Sequence, residues 1–178
     1  MSEADDGDDS DNYYDRYYNG GGGLPILSAS GNDGPGVGTA SSPATAKNSV
    51  TVGSHLNRGG GSPDTVSQSS SRGPTDDNRI KPDVIAPGAY VRSCLSQDAT
   101  DTSGGTVQTG GWYIEYSGTS MATPNAAGSA ALIREYILEI AQRPAPQGAL
   151  VKALLVLGAR DLGNRDIPNN DEGWGRID

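Results

Sequence analysis

The sequence predicts an α/β fold, in which a largely parallel β-sheet packs against helices. Short runs of apolar and β-branched residues fit strands that are buried on both faces. Segments with helical periodicity follow them in the last third of the chain, and strands followed by helices are typical of a layered α/β architecture. The 26 glycines among 178 residues indicate many tight turns and close backbone approaches.

Four segments have the composition of buried strands, because each is short, apolar or β-branched, and bounded by turn residues. They cover 24–29, 48–54, 83–91 (as two short strands around Pro87-Gly88) and 112–116. A dense cluster of turn residues follows the first strand at 30–36. A long polar loop is predicted over 96–111.

Two helices are predicted near the end of the chain. Residues 120–142 place apolar side chains at helical spacing on one broad face: Ala127, Ala130, Ala131, Leu132, Ile133, Tyr136, Ile137 and Ile140. Pro124 falls in the first turns of this helix, where its missing N–H costs little. Residues 147–159 are almost uniformly apolar, which predicts a largely buried second helix with Gly158 as its C-terminal cap.

The charge of the chain is concentrated at its beginning. Residues 1–23 hold seven acidic residues against Arg16 alone, so they contribute minus six of the net charge of minus nine. We predict that 1–23 is an acidic, disordered tail and that 24–178 is the folded domain. The aspartates of the tail lack the spacing of a known calcium loop, so we assign no metal ligand there.

The composition also limits the partners and the compartment. An acidic chain is unsuited to nucleic acid or to an anionic membrane surface, and no stretch approaches the length of a membrane span. Cys94 is the single cysteine, so no internal disulfide can form. The opening MSEADDGDD lacks the basic and then apolar pattern of a signal peptide, and the sequence assigns no compartment.

The run Gly118-Thr119-Ser120-Met121-Ala122-Thr123-Pro124 is the candidate nucleophile site. It places Ser120 between a Gly-Thr turn and the start of the predicted helix, where unpaired backbone N–H groups point at whatever binds. A serine hydroxyl needs a general base to act as a nucleophile, a third group to orient that base, and hydrogen-bond donors for the oxyanion that forms.

Asn32 is the candidate oxyanion donor. It lies in Ser28-Ala29-Ser30-Gly31-Asn32-Asp33-Gly34, directly after a predicted buried strand, where its side-chain amide can reach a substrate oxygen. The alternative is an asparagine that only closes a turn, which is the commoner fate of Asn in such loops.

Both segments resemble those of the subtilisin-like serine peptidases (subtilases, peptidase family S8). SSRGP at 70–74, KPDV at 81–84, APG at 86–88 and GWGRID at 173–178 are similar to further subtilase segments, in the family's order. The resemblance runs from about Leu24 to Asp178. It implies a subtilisin-like parallel sheet sandwiched by helices, present as the C-terminal part of the catalytic domain.

The resemblance also implies the chemistry. The chain would belong to a serine endopeptidase that hydrolyses polypeptides by acyl transfer, with Ser120 as the nucleophile. Asn32 and the backbone N–H of Ser120 would form the oxyanion hole. Ala29, Ser30 and Gly31 would form one wall of the pocket for the side chain that precedes the cleaved bond. No cofactor is required, although subtilases often bind structural calcium and are commonly secreted.

The general base is missing from this pattern. His55 is the only histidine, and its surroundings match the family's VTVG strand and not the HGTxVA helix that carries the catalytic histidine, so we interpret it as a surface or strand-end residue. The family's aspartate, in a D-x-G turn after a buried strand, is absent too. We therefore expect a fragment whose missing N-terminal half supplies Asp and His. The alternatives are a non-catalytic binding module derived from a subtilase, or one chain of a two-chain enzyme.

Overall fold

The computed structural model describes residues 24–57, 62, 64–143, 146–163 and 166–178. The predicted acidic tail and Pro144 lie outside the described residues. The strands, in chain order, are β1 Leu27–Ala29, β2 Val50–Leu56, β3 Val84–Ala89, β4 Val91–Cys94, β5 Thr106–Val107, β6 Tyr113–Tyr116, β7 Ala159–Arg160 and β8 Arg176–Ile177. The helices are α1 Thr119–Glu135, which continues as a π-helical segment Tyr136–Ile140, and α2 Gly148–Leu157.

The main sheet has five strands in the order β1-β2-β3-β8-β7. The first four run parallel to their neighbours, and β7 pairs antiparallel with β8. Every residue of β2 is buried except Leu56, which is the signature of a strand covered on both faces. The core joins this sheet to both helices, with Val50, Val52 and Val84 packed against Ala122 and Ala126. The predicted α/β fold with a parallel sheet is therefore confirmed.

A smaller antiparallel sheet, in the order β4-β6-β5, lies beyond the end of β3. The sequence predicted β6 but placed β5 inside a long polar loop, because Thr106 and Val107 are flanked by turn residues and are too few to show a pattern. The predicted break at Pro87-Gly88 is wrong, since β3 continues through both residues. Pro87 pairs with His55 of β2 on one side of β3. On the other side β8 pairs with β3 only at Ile85, so no strand there needs the N–H that Pro87 lacks.

Helix α1 buries a narrower face than the sequence predicted. The buried positions are Thr119, Ala122, Ala126 and Ala130, and their small side chains let the helix lie close against the sheet. Leu132, Tyr136 and Ile140 belonged to the predicted apolar face, but all three are exposed. Likewise α2 buries Val151 and Leu155 and leaves Leu150 and Leu157 exposed.

Pro124 lies deeper in α1 than predicted, because the helix begins at Thr119. A proline at this depth cannot donate to the carbonyl four residues before it, which is that of Ser120. The helix therefore leaves the backbone carbonyl of the candidate nucleophile without its usual helical donor.

A buried charge cluster ties the sheet to α2. The Lys81 ammonium is 3% exposed and donates to Ala46 O (2.8 Å), Thr51 Oγ1 (2.8 Å) and Asp83 Oδ2 (3.0 Å). The other carboxylate oxygen of Asp83 lies 2.9 Å from Lys152 Nζ, which comes from α2. Burial lowers the pKa of Lys81 from 10.5 to about 8, against the opposing effect of the Asp83 carboxylate. Lys81 therefore remains largely charged at neutral pH.

Candidate active site

Ser120 is the second residue of α1 and is exposed to solvent. The backbone N–H groups in the first turn of a helix have no acceptor within the helix, so the N–H of Ser120 is available to a bound group. None of the described hydrogen bonds uses the Ser120 hydroxyl. The structure thus presents both the side chain and the N–H of Ser120 at an open helix start, as the sequence predicted.

Asn32 lies directly beside this helix start. Its Oδ1 accepts hydrogen bonds from the backbone N–H of Thr119 (3.0 Å) and from Thr119 Oγ1 (3.2 Å). Because a backbone N–H can only donate, the atom that faces Thr119 must be the amide oxygen. The Nδ2 group, which donates to none of the described residues, is then left free to donate to a ligand.

Two glycines allow this close approach. Gly118, at φ 149°, precedes the helix, and a Cβ atom there would lie 3.4 Å from Asn32 Oδ1. Gly31 has φ 104°, and a Cβ atom there would lie 2.7 Å from Ser71 Oγ. Any other residue at Gly31 would both strain the backbone and collide with Ser71. These glycines bring β1's loop and the start of α1 together.

The SSRGP segment, residues 70–74, supports the same loop. Ser71 Oγ accepts the N–H of Asp33 (3.0 Å), and Ser71 N–H donates to Gly31 O (3.0 Å). The hydroxyl of Thr119 donates to Gly31 O as well (3.2 Å). Ser71 and Thr119 therefore hold the residues on either side of Asn32, although sequence reasoning did not single them out.

Asn125 joins α1 to β3. Its Nδ2 donates to Pro87 O (2.8 Å) and to Met121 O (3.1 Å). We did not single out this residue from the sequence. Its position one turn below Ser120 shows that it fixes the start of the helix against the sheet, a contact between distant segments that no local pattern reveals.

The predicted pocket wall occupies the end of β1 and the turn that follows. Ser30 is fully buried and Ala29 is half-buried, and Ser30 N–H donates to Val52 O (3.0 Å). The structure thus places Ala29, Ser30 and Gly31 next to Asn32. Their role as a pocket wall stays a prediction.

His55 lies within β2 and is buried, with its Nδ1 2.7 Å from Leu56 O. It is a residue near the end of a strand, as interpreted from the sequence, but it is not on the surface. A general base must reach both the nucleophile and the substrate. A ring that is buried in the sheet and engaged at Nδ1 is poorly suited to that task.

The described residues contain no group of three or more His, Cys, Asp or Glu side chains that could hold a metal ion. The structural calcium that the resemblance allows stays a prediction. Nor does any helix in the described ranges have the length and apolar character needed to cross a membrane.

Comparison with known proteins gives a consistent result. The family model described as the subtilase family matches residues 2–175. Serine protease AprX of Bacillus subtilis is 41% identical over 114 residues, which are 62% of this chain and 26% of AprX. Subtilisin-like protease SBT6.1 of Arabidopsis thaliana is 34% identical over 159 residues, or 86% of this chain and 13% of that protein. The chain thus spans well under half of these relatives.

Solved structures agree with this match. The CspB protease of Clostridium perfringens superposes on 81% of this chain and 27% of its own, with a TM-score of 0.63 and 29% identity. A lanthipeptide protease covers 94% of this chain and 50% of its own with a TM-score of 0.70, and at 24% identity it supports the fold alone. The family match includes the acidic segment 1–23, so the domain boundary at residue 24 stays a prediction. Together with the parallel sheet and the Ser120–Asn32 arrangement, the match over 2–175 establishes that this chain belongs to the subtilase family.

Proposed function

We propose that this chain carries the nucleophile and the oxyanion hole of a serine endopeptidase that cleaves polypeptides by acyl transfer. The orientation of Asn32 is the observation that carries the proposal. With Oδ1 held by Thr119, its Nδ2 joins the N–H of Ser120 as a second donor at the same helix start. Two hydrogen-bond donors at the helix start that carries a serine hydroxyl are the groups that stabilise the oxyanion of an acyl-transfer reaction.

Each group then has one role. Ser120 Oγ attacks the carbonyl carbon of the cleaved bond and loses its proton to a general base. The carbonyl oxygen, on which negative charge develops, accepts hydrogen bonds from Asn32 Nδ2 and from the N–H of Ser120. The amine leaves with a proton, and water then releases the acyl group from Ser120 by the reverse sequence.

We further propose that the general base and its orienting carboxylate come from polypeptide outside the described residues. His55 is buried and engaged within β2, which supports this assignment. Among the described residues, strand β1 is an edge of the main sheet, so a segment that carries these groups has a strand edge beside Asn32 to pair with. It would belong either to the same polypeptide or to a partner chain.

A fluorophosphonate probe tests the proposal, because it modifies only an activated serine. We expect covalent labelling of Ser120, mapped by mass spectrometry, in the protein that includes the Asp and His segments. Ser129, on the same helix, is the internal control and should stay unmodified. Absence of labelling at Ser120 in that protein would favour the non-catalytic binding module instead.

Replacing Asn32 by Asp isolates its function as a donor. Asp keeps an oxygen for the N–H of Thr119 but replaces the Nδ2 donor by a second oxygen, so the helix start is preserved while the oxyanion loses a hydrogen bond. We expect turnover of a peptide substrate to fall about 10²- to 10³-fold, the loss measured for the oxyanion asparagine of subtilisin, a member of this family.

The free energy of unfolding serves as the control for Asn32→Asp, and it should change by less than about 1 kcal/mol, since an acceptor for the N–H of Thr119 remains. Asn32→Ala should lower both turnover and stability, because it also removes the acceptor for Thr119. A variant Asn32→Asp that turns over at the parent rate would show that Nδ2 does not stabilise the oxyanion.

A further inference from the structure

The antiparallel sheet formed by β4, β6 and β5, which we call the arm (residues 91–116), carries exposed aromatic side chains. Trp112 is 63% exposed and Tyr113 is 49% exposed, and both stand at the far end of the β4–β6 pair. From residue 24 onward the chain has six aromatic side chains, and four of them lie in the arm or directly before it: Tyr90, Trp112, Tyr113 and Tyr116. Large exposed aromatics gathered in one element mark an interaction surface.

The arm is attached at the candidate active site. Its first strand begins after Tyr90, whose N–H donates to Ser117 Oγ (2.8 Å), and its last strand ends just before Ser117. The N–H of Gly118 also donates to Gly88 O (2.7 Å). These contacts join the two ends of the arm, and we call this junction, formed by Gly88, Tyr90, Ser117 and Gly118, the root of the arm. Tyr90 has φ 56°, a conformation that a bulky residue rarely adopts. The root of the arm is therefore fixed immediately before the helix that carries Ser120.

The far end is held as firmly as the root. Trp112 O accepts the N–H of Leu95 (2.8 Å), and Tyr113 O accepts the N–H of Gln108 (2.9 Å). Tyr113 also pairs with Cys94 across the sheet. The backbone beneath the two aromatic side chains is thus in place before any ligand binds, which lowers the entropic cost of binding.

The arm and the predicted pocket wall adjoin the helix start from different strands. The wall comprises the end of β1 and the residues directly after it, the arm follows β3, and β2 separates β1 from β3. The start of α1 contacts the loop after β1 and also strand β3, because the N–H of Thr119 donates to Asn32 Oδ1 and the N–H of Gly118 donates to Gly88 O. A substrate whose residue before the cleaved bond occupies the predicted pocket wall would extend its leaving-group side toward the arm.

The dimensions and charge of the arm suit an extended peptide. Four residue pairs join β4 to β6, and at about 3.3 Å per residue they span roughly 13 Å. An extended peptide that follows the arm from Ser117 would reach Tyr113 after about four of its own residues. The arm contains Asp98, Asp101 and Glu115 against Arg92, a net charge of minus two, which disfavours an acidic peptide.

We propose that the arm binds the substrate polypeptide on the leaving-group side of the cleaved bond. Trp112 and Tyr113 contact an apolar or aromatic side chain about three to five residues after that bond. This assignment rests on the proposed peptidase function, since it takes Ser120 as the point of cleavage. It makes Trp112 and Tyr113 residues that determine specificity, and it leaves the chemical step to Ser120 and Asn32.

Two substrates test the proposal in the protein that includes the Asp and His segments. Both carry the same residues before the cleaved bond. One continues for six residues, with an aromatic residue in the fourth place, and the other ends in p-nitroanilide. In the double variant Trp112→Ala/Tyr113→Ala, the ratio of kcat/KM for the long peptide to that for the anilide should fall about ten-fold.

Tyr136→Ala is the matched control, because Tyr136 is a similarly exposed aromatic residue on the helix outside the arm. It should leave the ratio of the two kcat/KM values at the parent value. An unchanged ratio in the double variant would overturn the proposal. If the protein hydrolyses neither substrate, the proposed peptidase function is contradicted. The second measurement, which follows, then decides whether the arm binds a peptide.

That second measurement is independent of turnover. The fluorescein-labelled six-residue leaving peptide is titrated with the Ser120→Ala protein, and its anisotropy gives the dissociation constant. Adding Trp112→Ala/Tyr113→Ala should weaken binding about ten-fold. Equal binding by both proteins, or no binding by either, would overturn the proposal. If binding is weakened by Trp112→Ala/Tyr113→Ala but neither substrate is hydrolysed, the peptide-binding site is supported and the peptidase function is rejected.

Discussion

Ser120→Ala is expected to lower the turnover of a peptide substrate about a million-fold in the protein that supplies the general base. This is the loss measured when the catalytic serine of subtilisin is removed, so the magnitude is taken from a relative and not worked out from this structure. The hydroxyl is exposed and supports none of the described hydrogen bonds, so the variant should fold as the parent does. Initial rates on an internally quenched peptide measure the effect.

The matched control for this prediction is Ser129→Ala, which removes a serine from the same helix and should keep the parent rate. Retention of more than about 1% of the parent turnover by Ser120→Ala would place the nucleophile elsewhere. The 178-residue chain taken alone gives a further comparison. Because its only histidine is buried in β2, we expect the chain and its Ser120→Ala variant to hydrolyse the peptide equally slowly.

Asp83→Ala is expected to lower the free energy of unfolding by about 3–5 kcal/mol. Asp83 is the carboxylate between Lys81 and Lys152, at 3.0 and 2.9 Å, and it also accepts the N–H of Thr51 (2.7 Å). Removing it leaves a buried ammonium without its counter-charge, and such half-broken ion pairs are strongly destabilising. Urea denaturation followed by circular dichroism measures the change.

Asp64→Ala is the matched control for Asp83→Ala. Asp64 also forms an ion pair, with Arg176 at 2.8 Å, but its side chain is 54% exposed, so its loss should cost no more than about 1 kcal/mol. Asp83→Asn keeps a hydrogen-bond acceptor while removing the charge, and its loss in free energy of unfolding should lie between those of Asp83→Ala and Asp64→Ala. Equal effects of Asp83→Ala and Asp64→Ala would show that the buried cluster contributes no more than a surface pair.

The sequence predicted the main strands because their residue composition directly reflects burial on both faces. It predicted the start of α1 to within a few residues, but the apolar face that it predicted for this helix is broader than the face that is buried. Periodicity shows which residues share a side of a helix, whereas the amount of sheet available to cover them decides which are buried. Leu132 and Tyr136 belong to the predicted face, yet they remain 67% and 60% exposed.

Some residues of the candidate site could likewise be predicted from the sequence, and others could not. Gly118, Ser120 and Asn32 stand in segments whose local sequence is distinctive, so each could be singled out in advance. Ser71, Thr119 and Asn125 hold those segments together through contacts that join residues far apart in the chain. No local pattern predicts such pairs, because they depend on how the strands are ordered in the sheet.

By itself the sequence determined the longer strands and the two helices, the serine and asparagine of the candidate site, and the family that they resemble. It did not determine the two-residue strands β5, β7 and β8. Those conclusions depend on residue type and on the spacing of residues within a segment, and both can be read directly from the sequence. Only the tertiary structure decided which way the amide of Asn32 points, that Lys81 and Lys152 share one carboxylate, and that the arm stands beside Ser120. Each of these depends on distances between segments remote in sequence, and those distances exist only once the sheet has formed.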